Sequence, residues 1–191
     1  MSSEVGICNS ALSKIGTTNR IASLSEGSTN ATACNEQYAK VRDKLLRAHH
    51  WNFAMTRAKL ARLADAPVYE FDYGYQLPSD WIRMVAVHDN DAGTGQALYR
   101  IEGRKLLCNA DGIWIKYVAR VTDPNDMPAD FRETLASLLA VELALPIAQS
   151  NTIRTLMLDQ FRRDLIQAKS TDSIEDYPPS MPEGSWVTER G

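Results

Sequence analysis

Cysteine is scarce: only Cys8, Cys34 and Cys108 occur in 191 residues, and no two share a CxxC spacing. Three thiols cannot all pair within one chain, so no disulfide framework is expected and a reducing compartment is the natural setting. Long apolar runs are also missing. The most hydrophobic stretch, Leu135 to Ala148, is too short to span a bilayer and is interrupted by Glu142 and Pro146. The opening MSSEVGICNSALSKIG has no basic segment followed by an apolar run, so no secretory signal is expected. Nor is positive charge in surplus, since the formal net charge is −3. That balance speaks against a general nucleic-acid binder held by phosphate neutralisation, and equally against a polybasic membrane-surface protein.

Catalytic signatures are lacking as well. There is no HExxH, no GxSxG and no GxxxxGK[ST]. His49 and His50 are adjacent, and neighbouring helical side chains diverge by about 100°, so a helix C-terminal interaction explains them better than a metal. His88-Asp89-Asn90-Asp91 begins like a carboxylate metal loop but lacks the glycine and distal glutamate of an EF-hand, which leaves a surface loop. The three cysteines read as buried structural thiols without a histidine partner. Acids around Asp123, Asp126 and Asp130 flank a Pro-rich turn and a helix start, where carboxylates belong structurally. No metal or cofactor is expected, and no enzyme.

What is present is enough apolar material, 44% of the chain, for one domain with a detachable tail. Apolar residues at Val5, Cys8, Leu12 and Ile15 predict a helix over 4–15, stopped by Gly16. Ser28-Thr29-Asn30 offers caps for a second helix over 30–49, with Cys34, Tyr38, Val41, Leu45 and Ala48 as its buried stripe. Its other face carries Glu36–Lys40 and Asp43–Arg47 at i,i+4, each worth about 0.3 kcal/mol. Residues 51–121 read as a β insertion. Ile113 to Val121 is β-branched and aromatic and follows Asp111-Gly112, a two-residue hairpin signal. Leu98 to Glu102, Lys105 to Asn109 and Trp81 to His88 are further strands, and Trp51 to Leu63 leans the same way. A third helix over 129–145 is apolar nearly all round and should be the most buried. A fourth over 152–168 puts Ile153, Leu156, Met157, Phe161 and Leu165 on one face. Residues 170–191 are acidic and proline-rich and cannot bury themselves in a core, so this tail is disordered alone or ordered by a partner. The expected fold is α+β: a four-helix bundle of N- and C-terminal helix pairs over 1–169, with a small inserted antiparallel sheet and an extended tail.

Tyr69, Phe71, Tyr73, Tyr75 and Trp81 crowd one segment, which either supplies a binding surface or fills the sheet core. Trp186 has no local core to join in its acidic, proline-rich surroundings, and docking on another chain is its favoured role.

A set of ordered motifs runs through residues 4–168. It comprises Cys8-Asn9-x-Ala11-Leu12-x-x-Ile15-Gly16, Ile21-Ala22-Ser23-Leu24, the helix holding Cys34 and Tyr38, and Leu45-Leu46-Arg47. Trp51-Asn52-Phe53-Ala54 follows and is the most specific. Tyr73-x-Tyr75-x-Leu77-Pro78-x-Asp80 and Asp126-Met127-Pro128-x-x-Phe131-Arg132 complete it. In order and spacing the chain resembles the tail tubular protein A family, the head-to-tail adaptors of short-tailed bacteriophages.

The resemblance implies a structural virion protein made in the host cytoplasm and placed in the neck of the particle. Twelve copies would form a ring between the portal and the tail nozzle or next tail ring, through which genomic DNA passes without specific binding. The helical part and C-terminal extension would grip the portal, which points to Tyr177, Trp186 and Arg190. The sheet and its loops would face the next tail component or a neighbouring subunit, which points to Tyr73, Tyr75, Trp81, Asp89 and Asp91. Alternatives are a small lytic enzyme using two carboxylates on peptidoglycan, or an oligomeric binding module.

Overall fold

The computed structural model describes residues 2–175. Helix α1 (Glu4–Lys14) starts where the Ser3 hydroxyl accepts from the Gly6 N–H at 3.0 Å, filling one of the donors a helix start leaves free. It ends at Gly16, whose φ of +81° suits a residue without a Cβ. There the Thr17 N–H reaches back to the Leu12 carbonyl and the Gly16 N–H to Ser13, a double-bonded helix stop. Helix α2 (Thr29–Ala48) is capped by Ser28, whose hydroxyl accepts from the Ala31 N–H. Cys34, Tyr38, Val41 and Leu45 are buried along α2 as their spacing predicts, but Ala48 is exposed. Neither expected surface ion pair of α2 forms. Asp43 binds Arg42 and Arg120, while Arg47 donates to the Ile82 carbonyl.

The chain then makes a short 3-10 turn, Asn52–Ala54, and enters the strands. These are β1 (Met55–Lys59), β2 (Tyr73–Gln76), β3 (Trp81–His88), β4 (Tyr99–Glu102), β5 (Lys105–Cys108) and β6 (Trp114–Ala119). They form two three-stranded antiparallel sheets, ordered β1-β6-β3 and β2-β5-β4, where one small sheet was expected. The expected hairpin at Asp111-Gly112 is absent, because β5 and β6 lie in different sheets. Gly112 instead carries the chain across at φ +112°, and the Ile113 carbonyl accepts from the Leu60 N–H at 2.9 Å. The two-residue turn is Gly103-Arg104, between the paired Glu102 and Lys105, with φ of +51° and +65°. Positive φ at both central residues is what a right-twisted hairpin asks of its turn.

The two sheets pack face to face. Tyr75, Leu77, Leu106 and Cys108 of the outer sheet and its approaches meet Val87, Ile115, Tyr117 and Ala119 of the other. The opposite face of the β1-β6-β3 sheet supplies Ile82 and Val118 to a second core shared with the helices. Burial on both faces explains why β3 and β6 read as nearly continuous apolar runs.

After the sheets come α3 (Ala129–Leu143) and α4 (Asn151–Ile174). The fold is α+β, but the helices do not form a bundle of N- and C-terminal pairs. Helix α3 packs against α1, α2 and α4, whereas α1 and α2 touch thinly and α4 has no comparable packing on either. The reason lies in the distribution of apolar side chains. α3 buries Phe131, Leu135, Leu138, Leu139, Val141 and more around its whole girth and can be covered from several sides. Its neighbours carry single stripes and can each face one partner well. Buried Ser137 on α3 ties α4 down by donating to the Asp164 carboxylate at 2.5 Å. α4 also continues six residues past the expected end at 168, so residues 170–174 are helix.

Candidate interaction surfaces

Tyr75 lies in the sheet-sheet core. Its hydroxyl donates to the Ala110 carbonyl and accepts from the Gly112 N–H, each at 2.8 Å, and so holds the crossover between sheets. Tyr73, two residues earlier on β2, is half-buried and carries the Arg62 guanidinium over its ring at 4.0 Å. Trp81 opens β3 half-buried, and its indole N–H is enclosed with no hydrogen-bond partner among the described residues. Of the aromatic segment, then, Tyr75 fills the core while Tyr69 stands exposed in the connection before β2.

Asp89 and Asp91 are exposed in the loop after β3. That loop closes on itself: the His88 ring Nδ1 lies 2.8 Å from the Gly95 carbonyl, and the Thr94 N–H donates to Asn90. A Cβ at Gly95 would lie 1.8 Å from the exposed Asp89 carboxylate, which would have to swing aside. Nearby, β4 forms an edge of the outer sheet. Leu98 before it is 91% exposed, and Tyr99 is exposed as well. A groove of about 540 Å³ opens along the same sheet, lined by Leu63, Val68, Tyr69, Phe71 and Leu107 among others. Val68 at its rim is 99% exposed.

A second exposed apolar set lies on α4. Leu156, Ile166 and Ile174 are 58%, 71% and 80% exposed, although Leu156 was expected on the buried face. Successive residues on a helix advance by about 100°, which places these three within one arc of roughly 80°. Met157, Ala168 and Asp172 are the residues α4 buries fully.

Asp172 shows what the Trp51-Asn52-Phe53-Ala54 motif does. The Asn52 N–H donates to Asp172 Oδ1 at 2.9 Å, and the Asn52 side-chain amide donates to the Asp172 carbonyl at 2.7 Å. His49 Nε2 lies 3.2 Å from Asp172 Oδ2. Trp51 and Phe53 stack edge-on against Phe131 of α3, at 5.0 and 4.8 Å. The motif is therefore a clamp joining the end of α2, the middle of the core and the last turns of α4. Sequence reasoning missed Asp172, because its partners lie 120 residues away and no local pattern marks it.

Cys8 and Cys34 are fully buried against each other, and their mutual hydrogen bond together with burial holds the Cys8 thiol far above its ordinary pKa. Burial likewise raises the Cys108 thiol. Among the described residues, no group of three His, Cys, Asp or Glu side chains is placed to hold a metal ion. Within the same residues, no helix is long and apolar enough to cross a membrane. Tyr177, Trp186 and Arg190 lie outside the described residues. In comparisons with known proteins, no protein-family model and no curated protein sequence matches this chain.

Proposed function

We propose that this protein is a head-to-tail adaptor of a bacteriophage, a structural subunit that assembles as a dodecameric ring between the portal and the next tail component. The observation that carries the reading is the exposure of large apolar side chains on two different parts of one subunit. One set, Val68, Tyr69, Leu98 and Tyr99, surrounds the outer sheet; the other, Leu156, Ile166 and Ile174, runs along α4. Fully burying a side chain of this size contributes about 1.5–3 kcal/mol, so a subunit held between neighbours gains what a free one forgoes. The ordered motifs from Cys8 to Arg132 support the same reading through their resemblance to tail tubular protein A.

In this arrangement Tyr73, Trp81, Asp89 and Asp91 belong to the face toward the tail or a neighbouring subunit, with Tyr75 supporting it from inside. Tyr177, Trp186 and Arg190 belong to the portal-binding extension. The neck of the virion is the final location, and DNA passes through the ring.

The test is removal of residues 176–191, which leaves α4 and its Asp172 clamp whole. The truncated protein should unfold at the temperature of the parent yet fail to attach to portal-bearing heads, as read by co-sedimentation. Trp186→Ala should weaken attachment in the same assay. Electron micrographs of the parent on heads should show a twelve-fold ring; normal attachment by the truncated protein, or a ringless neck, would reject the proposal.

A further inference from the structure

In the β1-β6-β3 sheet, Arg57 stands directly opposite Lys116 and Lys59 opposite Trp114. Directly opposed residues of an antiparallel pair share one face, and like charges so placed oppose folding. His88 extends the row from β3, opposite Trp114. At the other end of this face, Met55 and Val118 pack into the helical core. Arg57, Lys59 and Lys116 therefore occupy the part that the helices leave open.

Two more cations stand at the boundary. Arg83 donates to the Arg47 carbonyl at 3.2 Å and Arg47 to the Ile82 carbonyl at 2.7 Å, so both guanidiniums are tied to backbone and not to acids. Among the described residues, no carboxylate lies within ion-pair distance of Arg47, Arg57, Lys59, Arg83 or Lys116. Arg57, Lys59 and Lys116 border a cleft of about 470 Å³, with Asp91 as the acid on its rim. The local field is felt by His50, whose pKa is lowered by burial and by the charges of Arg83, His49 and Lys116.

A chain with net charge −3 has no compositional reason to gather cations here. We infer that this open end of the sheet is a sequence-independent contact for the phosphate backbone of duplex DNA. Residues i and i+2 of a strand are about 6.6–6.8 Å apart and neighbouring strands about 4.8 Å, which spreads Arg57, Lys59 and Lys116 as a flat raft of charge. The raft has no helix projecting from it to read base edges, and phosphate contacts by themselves carry no sequence information. Arg clusters also take acidic peptides, which are held specifically where pockets receive their side chains. Here the one large ring, Trp114, already has Lys59 Nζ at 4.7 Å from its centre. The inference deepens the ring reading by giving the passing DNA a contact surface, but a single subunit carries the whole patch. Ring assembly without DNA binding would sink this inference alone, and DNA binding without a ring would sink the other.

The experiment is fluorescence anisotropy of the full chain with labelled random-sequence duplex DNA across a salt series. Five phosphate contacts predict a slope of log K against log salt of about −4.5, or roughly a 500-fold loss of affinity between 50 and 200 mM. In the double variant Arg57→Gln, Lys116→Gln the slope should fall to about −2.7. Lys59→Gln should reduce it by about 0.9, and Arg162→Gln on α4 should leave it unchanged. The double variant should melt at or above the temperature of the parent, because the opposed charges are gone. Absence of binding at low salt, or equal slopes in parent and double variant, would overturn the inference. Displacement of DNA from the patch by a peptide of residues 176–191 at matching concentration would also overturn it, in favour of an acidic segment as occupant.

Discussion

Asp172→Ala removes the carboxylate that joins α4 to the turn after α2, and its cost can be worked from the geometry. The side chain is buried, accepts from the Asn52 N–H at 2.9 Å and faces His49 Nε2 at 3.2 Å. A hydrogen bond to a charged group contributes about 1.5–3 kcal/mol, and an unpaired, partly buried N–H adds to the loss. The Asp172 carbonyl keeps its bond from the Asn52 side chain as long as α4 stays in place, which limits the damage. The expected destabilisation is about 2–3 kcal/mol, or roughly 4–12 °C in melting temperature for a domain of this size. Asp172→Asn retains an acceptor for the Asn52 N–H and should cost less, about 1 kcal/mol. Chemical denaturation with hydrogen exchange supplies the assay. Protection should fall first in the last two turns of α4, ahead of α3, because that end would open locally before the core. An alanine variant within 0.5 kcal/mol of the parent, or uniform loss of protection across α3 and α4, would refute the clamp.

Two further predictions rest on single groups. The Tyr117 phenol is pushed up to about 12 by burial and by the Asp80 carboxylate to which it donates, against an ordinary value of 10.0. The unfolded chain releases this proton first, so its contribution is complete below about pH 10 and lost as pH rises toward 12. Melting temperature should therefore fall less steeply over that window in Tyr117→Phe than in the parent; parallel curves would refute the assignment. Gly103→Val places a β-branched side chain at φ +51° and should destabilise by about 1–2 kcal/mol in urea denaturation. A neutral result would mean that the Gly103-Arg104 turn can change type without cost.

Much of the local architecture was legible. Ser28 capping α2 and Gly16 stopping α1 are signals that act over three or four residues, and both perform those tasks. The strands over 81–88 and 105–108 stood out for the same reason, as short β-branched or apolar runs. The pairing of strands was not legible. Asp111-Gly112 has hairpin chemistry, yet Leu60 and Tyr75 pull the chain around it into a crossing between sheets. Leu156 has the right spacing to be buried and is exposed, because α4 has α3 as its main partner and the arc beyond that contact stays open. Of the candidate surface residues, Tyr73 and Tyr75 sit two apart on one strand, and the sequence had no means to distinguish the half-exposed ring from the core one.

By itself, then, the amino-acid order determined which segments become helix or strand apart from β2, where most of them start, and that one helix would be enclosed. These depend on hydrogen bonds and side-chain periods within a turn or two of chain. The tertiary structure alone decided that α3 is a hub and not one member of a paired bundle, and that the β insertion splits into two sheets. It also decided that α4 runs on to Ile174 under the hold of Asp172, and that Arg57 and Lys116 face outward side by side. The Arg57–Lys116 and Asn52–Asp172 contacts join residues 59 and 120 positions apart, and the packing of α1 on α3 is likewise distant in sequence. Such contacts depend on how whole faces compete for cover, which no short window of sequence contains.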